Sequence, residues 1–308
     1  MANSKVAIIK GNTYNATKKA LKATDFKKLL KGKSKIVIKP NLVVAKKAVE
    51  GITADVNIVR AILDQIPTSK KVSIVEGCSL ATTSFKLNGY LDLKKQYDID
   101  IIDANLSEYK KVKVRKPLVL KSIKISKHVL NSDFLISVGK LKIHSIALIT
   151  GSLKNMMGAC PKEEKFKIHS FIPRSLIDLI SLILPDFGVI DGIVANEMDE
   201  NVSHPIKMGI ILASKDCVAL DSVASRVMGV EPEDVYYIKR SAEIGFGKIN
   251  TNDIEIVGEK LEKIRRNFRR TFVLRSESQR LIIKLLFQMG LYEFTIPYIR
   301  KVKNLLAI

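Results

Sequence analysis

The sequence predicts an α/β protein: a mainly parallel sheet with helices on both faces, a small antiparallel excursion and a basic helical C-terminal extension. Three observations carry this. Short β-branched runs alternate with longer segments whose apolar residues recur at three- and four-residue spacing. One stretch instead alternates residue by residue, and after Gly258 the pattern turns to basic helical sequence.

The strand-like runs are 6–9, 36–38, 72–75, 99–102, 134–138, 189–190 and 208–212. Helical spacing covers about 15–30, 55–66, 84–97, 173–184, 216–228 and 232–244. Strands alternating with helices are the pattern of a parallel sheet covered on both sides. The segment 105–130, with Lys111-Val112-Lys113-Val114-Arg115, reads as the antiparallel excursion. The chain has 308 residues, past the size at which one core usually stops growing, and the composition change places a boundary between residues 1–258 and 259–308. In the extension, helices are expected over 260–274 and 277–289. In the second, Leu281, Leu285 and Met289 repeat every four positions, with Ile282, Ile283 and Leu286 widening an apolar face. That helix is expected to pack back on the main domain. Peripheral docking on an anionic membrane, aided by Arg265, Arg266, Arg269 and Arg270, is the alternative.

Residues 1–12 lack the apolar core of a secretory signal, and no run is long and apolar enough for a spanning helix. The three cysteines, Cys78, Cys160 and Cys217, are widely spaced, which suits a reducing compartment. A cytoplasmic protein is therefore expected. Fifty-two Lys and Arg against 31 Asp and Glu give a net charge of +21, a field that attracts phosphates, nucleic acid, acidic partners or anionic lipid. Residues 259–308 hold 12 basic and 4 acidic side chains and so supply +8 of it.

In open parallel sheets ligands bind beyond the carboxyl ends of the strands, so the residues just past each strand matter most. There the sequence places Lys39-Pro40-Asn41, Glu76-Gly77-Cys78-Ser79, Gly139-Lys140-Leu141-Lys142-Ile143-His144 and Asp191-Gly192. Lys140, Lys142 and His144 have period two, which puts them on one face of an extended segment, converging on an anion or lying as a polar strand face in water. Downstream, Ser152-Leu153-Lys154-Asn155 brings another lysine and an amide, and Ser152 is placed to cap a helix whose first N–H groups add to an anion site. His169 comes after a lysine-rich loop at 162–167, read as mobile and able to close over a ligand. His128 and His204 read as structural. Asp216 suits a helix start, whereas Asp221, five positions on, calls for a salt bridge or a hydrogen bond to a cleft lysine. Glu197 is open between similar roles. No pair shows a metal-ligand spacing such as HxxxH or CxxC, so no metal site is assigned.

Taken in order, these residues resemble the domain-of-unknown-function 362 family: Lys39-Pro40-Asn41-Leu42, Glu76-Gly77, Asp133 through Leu135-Ile136-Ser137-Val138 to Lys140-Leu141-Lys142 and His144, Leu153 through Gly158, His169, Asp191-Gly192, Asp216 with Leu220-Asp221, and Gly245-Phe246-Gly247. The resemblance covers roughly residues 5–258. It implies a member without the ferredoxin-like module that makes many relatives iron–sulfur proteins. A cluster needs four close thiolates, so no iron–sulfur cluster of its own is expected, and an external ferredoxin is an implied partner. The layout is also distantly similar to the nickel-pincer lactate racemase family, which implies isomerisation or hydride chemistry on a small acid.

Together these residues suggest an enzyme acting on a phosphorylated or carboxylated small molecule. Lys39, Asn41, Lys140, Lys142, Lys154, Asn155 and Asp191 bind it, His144 or His169 is the general acid or base, and Glu76 or Asp221 orients them. Crowded lysines depress one another's pKa, so one could itself serve as base or Schiff-base nucleophile. Two other classes compete. A nucleic-acid-binding module fits the charge but not the 6% aromatic content without tryptophan. An electron-transfer accessory would dock an acidic ferredoxin on the basic surface.

Overall fold

The computed structural model describes residues 3–270. Its strands are β1 (Ser4–Lys10), β2 (Lys35–Pro40), β3 (Lys71–Glu76), β4 (Ile99–Asp103), β5 (Tyr109–Lys113), β6 (Ser122–Ser126), β7 (Phe134–His144), β8 (Leu148–Gly151), β9 (Phe187–Asn196), β10 (Pro205–Ser214) and β11 (Ile254–Gly258). One sheet runs β11-β1-β10-β9-β7-β2-β3-β4, with β8 paired to β7. From β9 through β7, β2 and β3 to β4 the strands are parallel. β10 is reversed between β9 and β1, and β11 lies parallel to β1.

Period-two alternation sorts the strand residues onto two cores. Ala7, Ile36, Ile38, Ile136, Val138, Val189 and Ile211 face the helices Thr13–Ala23, Val56–Leu63 and Ala81–Leu87. Val6, Ile8, Val37, Leu135, Ile190 and Leu212 face Arg174–Ile180, Cys217–Val227 and Tyr236–Glu243. The helices start where short polar side chains take the first free N–H groups: Asn12 accepts from Asn15 N, Asp55 from Asn57 N, and Asp216 from both Val218 N and Ala219 N. Two helices expected to be continuous are each split. Asp25, at φ 54°, separates Thr13–Ala23 from Phe26–Leu29, and Gly89, at φ 76°, separates Ala81–Leu87 from Tyr90–Leu93. A left-handed residue cannot continue a right-handed helix.

The excursion is the antiparallel pair β5–β6, with Tyr109 opposite Ser126 and Lys113 opposite Ser122. Buried Asp178 ties the turn between them to the domain, accepting from the backbone N–H groups of Leu118, Val119 and Leu120 at 2.7, 2.9 and 2.8 Å. Past Gly258 only Leu261–Ile264 is helical among the described residues, which shortens the helix expected over 260–274. The chain then lies along the domain: Arg266 N donates to Val227 O, Phe268 N to Met228 O, and the Phe268 ring is buried. Arg269 pairs with Glu197, which gives that carboxylate a structural partner. These backbone bonds to the preceding domain take the place of intrahelical ones. The expected helix over 277–289 lies outside the described residues. Among the described residues no helix is long and apolar enough to cross a membrane.

Replacing Asp178 with alanine orphans three backbone donors at once, and the expected cost is roughly 2–4 kcal/mol of unfolding free energy. Urea denaturation measures it, and an unchanged midpoint would show that water or a neighbouring group replaces the carboxylate.

Candidate functional site

At the carboxyl ends of β2, β3 and β7 lies a cleft of about 520 Å³. Its wall is built on a buried ion pair. Lys39 Nζ donates to Glu76 Oε2 at 2.8 Å, to Asn155 Oδ1 at 2.8 Å and to Pro40 O at 2.7 Å, using all three ammonium protons. Glu76 also accepts from Gly77 N at 2.7 Å and from Leu42 N at 3.1 Å. The Asn155 amide donates to Lys39 O and Ser137 Oγ and accepts from Asn41 Nδ2. Asn41 Oδ1, on the same wall, is buried with no partner among the described residues. Gly158 is required here, because a Cβ at that position would stand 2.2 Å from Glu76 Oε1 and 2.3 Å from Lys39 Cε.

The strand-long lysine face keeps its period of two but divides by partner. A register shift against β9 falls between Lys140 and Lys142, while Leu141 and Ile143 stay together in the core on the other side, so the two lysines keep one side of β7 and differ in the partners they meet. Lys140 turns to Asp191, with both sealed from water and 2.8 Å between Nζ and Oδ2. Asp191 further accepts from Asp55 N and Ile193 N, so its oxygens are taken by the fold. Neither residue lines the cleft. Lys142 does, and its ammonium donates to Ile52 O at 3.0 Å and Glu200 O at 3.1 Å. Burial, and then the charge of Lys154, pushes Lys142 down to about 7.

His144 Nδ1 accepts from the amides of Ile146 and Ala147 at 3.1 and 3.2 Å, so the neutral ring carries its proton on Nε2, 3.8 Å from Glu200 Oε1. Ser145 holds that carboxylate through its backbone N–H and its hydroxyl. Burial acts to raise Glu200, but the Ser145 amide and the charge of Lys154 outweigh it, and the group lies below the ordinary glutamate value. It is ionised at neutral pH.

The segment read as a mobile lysine-rich loop is the helix Lys162–Ser170, with Glu163 and Glu164 in its first turn, Lys167 and His169 in its last, and Ile168 anchoring it in the core. Helical spacing puts Lys165 and His169 on one face, toward the cleft that both line. His169 Nδ1 donates to Lys165 O at 2.8 Å, leaving Nε2 as an acceptor. The ring keeps accessible surface, yet the walls around it shed water; this, with the charge of Lys154, pushes it down to about 4. Lys165 Nζ is buried with no hydrogen-bond partner among the described residues, and desolvation lowers its pKa. Lys154 lines the cleft with no acceptor among the described residues, and burial, seconded by Lys39 against the opposing pull of Glu200, lowers it to about 8.

Ser152 is not a helix cap. Its hydroxyl and backbone N–H both donate to Asp221 Oδ1, Leu153 N donates to Oδ2, and the six residues Lys154–Ala159 form a 3-10 turn without a side-chain cap. Asp221 is fully buried outside the cleft lining, and burial raises it to about 7. It fixes the turn that presents Lys154 and touches no cleft lysine. The cleft therefore gathers Lys39, Asn41, Glu76, Lys142, His144, Lys154, Asn155 and His169 of the anticipated residues, and adds Lys165 and Glu200. Lys165 was legible as the partner of His169 four residues on, once 162–170 is read as helix. Glu200 sits in an acidic turn, Asp199-Glu200-Asn201, with no local mark of function. Among the described residues no three His, Cys, Asp or Glu side chains are grouped to hold a metal ion. The three cysteines are free and buried, and burial pushes Cys78 up to about 11 and Cys160 to about 12, so both are thiols at neutral pH.

Residues 36–226, more than half of the chain, match the family described as Domain of unknown function (DUF362). The chain belongs to the DUF362 family. The match takes in every cleft residue named above and is narrower than the resemblance over 5–258, leaving Gly245-Phe246-Gly247 outside. This DUF362 chain is 26% identical over 166 residues to a thylakoid-associated protein of Synechocystis sp., a stretch that is 51% of the chain and 50% of that protein. It thus spans about half the length of the curated relative it matches. Among solved structures it is similar to the lactate racemase apoprotein from Thermoanaerobacterium thermosaccharolyticum, with a TM-score of 0.50 and 16% identity over 74% of this chain and 58% of that one. That likeness is one of fold.

Replacing Glu76 with leucine leaves the Lys39 ammonium buried beside an apolar group and is expected to cost roughly 3–5 kcal/mol of stability. The Lys39→Met, Glu76→Leu double variant is expected to recover much of it. Equal loss in single and double variants, by denaturant titration, would show that the pair is not what holds the wall.

Proposed function

We propose that this DUF362 protein is an enzyme acting on an anionic small molecule, phosphorylated or carboxylated, bound in the Lys/Asn/His cleft. One observation carries the reading: Lys165 Nζ is buried in the cleft wall with no hydrogen-bond partner among the described residues, and the Lys154 ammonium lines the same cleft. A buried cation without a partner is costly, and an anionic ligand is what relieves it. Lys39, Lys142 and Asn155 spend their hydrogen bonds inside the protein, so they shape the cleft while Lys154 and Lys165 bind. His169, neutral with Nε2 as acceptor, is the general base. His144, with its Nε2–H beside ionised Glu200, is the general acid. A base and an acid around a bound anion suit isomerisation by proton transfer. The lactate racemase neighbour is named for a small carboxylic acid, which is within this substrate class.

Dialysed protein in a thermal-shift panel of phosphorylated and carboxylated metabolites is expected to gain melting temperature with at least one anion. Lys154→Ala or Lys165→Ala should weaken that binding roughly ten- to hundredfold, the worth of one charged hydrogen bond. If no anion stabilises the protein, the reading is wrong.

Binding should also depend on pH. Lys154 is cationic below about 8, so affinity is retained there and falls as pH rises through that value. The limiting fall is roughly tenfold per further unit. Calorimetric titration across this range checks it, and an affinity that rises with pH would remove Lys154 from the binding role.

A further inference from the structure

A second concentration of charge lies at the opposite ends of the same strands. Between residues 18 and 35 there are eight lysines against one acid, Asp25, a net +7. Asp25 is itself paired with Lys28 at 2.7 Å. The cleft sits where β2 and β3 end; Lys31, Lys33 and Lys35 sit where β2 begins, and Lys70 and Lys71 where β3 begins. Lys70 Nζ donates to Lys33 O and Lys71 N to Ser34 O, which joins the two strand starts into one surface. That surface continues into a concavity of about 450 Å³ edged by Lys18, Lys19, Lys22, Lys27 and Lys28, with buried Leu21 and Phe26 beneath.

Three features decide what such a face meets. The first arginine of the chain is Arg60, so the patch is built from point charges rather than from guanidinium forks that seat bidentately on phosphodiesters or bases. The nearby aromatic ring of Tyr14 has its hydroxyl bonded to Asp64 and Lys18 5.3 Å over its face, so one face of that ring is already taken by a lysine of the patch. The charges are also spread over two helices and two strand starts, well beyond the rim of that concavity. A broad array of lysine point charges matches the diffuse potential of an anionic membrane. Among the described residues no large exposed apolar side chain lies between 13 and 35, so nothing there inserts into the hydrocarbon.

We propose that this lysine face is a docking surface for an anionic lipid bilayer, held by headgroup charge alone and leaving the cleft turned away from the membrane. Attachment is peripheral and released by salt, because charges meeting across water are screened within about 10 Å at 0.1 M ionic strength. The full chain should cosediment with phosphatidylglycerol-containing vesicles at low salt and not with pure phosphatidylcholine vesicles, and high salt should release it.

Neutralising Lys18, Lys22, Lys27 and Lys28 to glutamine should weaken partitioning by up to roughly three orders of magnitude, given the contribution of each lysine near an anionic surface. A control variant neutralises Lys110, Lys111, Lys113 and Lys116, all exposed and on or beside β5, and removes the same charge elsewhere. It should keep most of the binding. Both sets are exposed, so matching melting curves establish that each variant is folded. The proposal is overturned if the full chain ignores anionic vesicles, if the two variants lose binding equally, or if the patch variant sediments like the parent. It is likewise overturned if the patch variant loses affinity for duplex DNA or RNA but not for vesicles.

Discussion

The ion pair between Lys39 and Glu76 is the constraint around which the cleft is arranged. Taking both charges out of water costs several kcal/mol per ion, and the pair persists because every ammonium proton is used and the carboxylate takes three donors across its two oxygens. Lys39 spends its other two protons on Pro40 O and Asn155 Oδ1, while Glu76 takes the amides of Gly77 and Leu42. That geometry needs β2 and β3 side by side in parallel register, with Ile38 level with Ile74, so that the lysine and the glutamate leave the sheet together. It also needs a residue without a Cβ at Gly158. The same requirement holds the Lys154–Ala159 turn against the strand ends and gives Lys154 its place.

Charge in the cleft is divided between groups the fold uses and groups it leaves available. Lys140 is neutralised by Asp191, and Lys142 supports the Glu200 loop through a backbone carbonyl. Lys154 and Lys165 have no such occupation. Their repulsion with Lys39 works against stability, and Glu200 and Glu76 are the nearby charges that oppose it. Such a site is held at a cost that a bound anion would reduce, which is how ligand affinity and native-state strain become linked.

Much of this was legible locally. Alternating and three-to-four spacing located the strands and helices because burial on one face imposes those periods. The rule that ligands gather beyond parallel strand ends points to Lys39, Asn41, Glu76, Lys142 and His144 from the order of strands and polar residues alone. A local pattern with two physical outcomes does not decide between them. Lys140 and Lys142 share a side of β7, but Asp191 consumes the first and only the second lines the cleft. The 162–170 stretch has so little contrast between its faces that its charge reads as a solvated loop, although buried Ile168 and Glu164 hold it as a helix. Asp221 looked like a partner for a lysine and proved to be the acceptor for a turn 69 residues earlier in the chain.

The sequence by itself determined the α/β class, the two apolar faces of the sheet, the family and the set of polar residues delivered to one edge, since each arises from short-range periodicity or from ordered motifs. Only the tertiary structure decided which of those polar groups are consumed by the fold and which remain available. A buried charge must find its partner wherever the fold brings one, at 37 residues' separation for Lys39 and Glu76, 51 for Lys140 and Asp191, and 116 for Lys39 and Asn155. Satisfying hydrogen bonds over such distances is a property of packed geometry, and no local spacing encodes it.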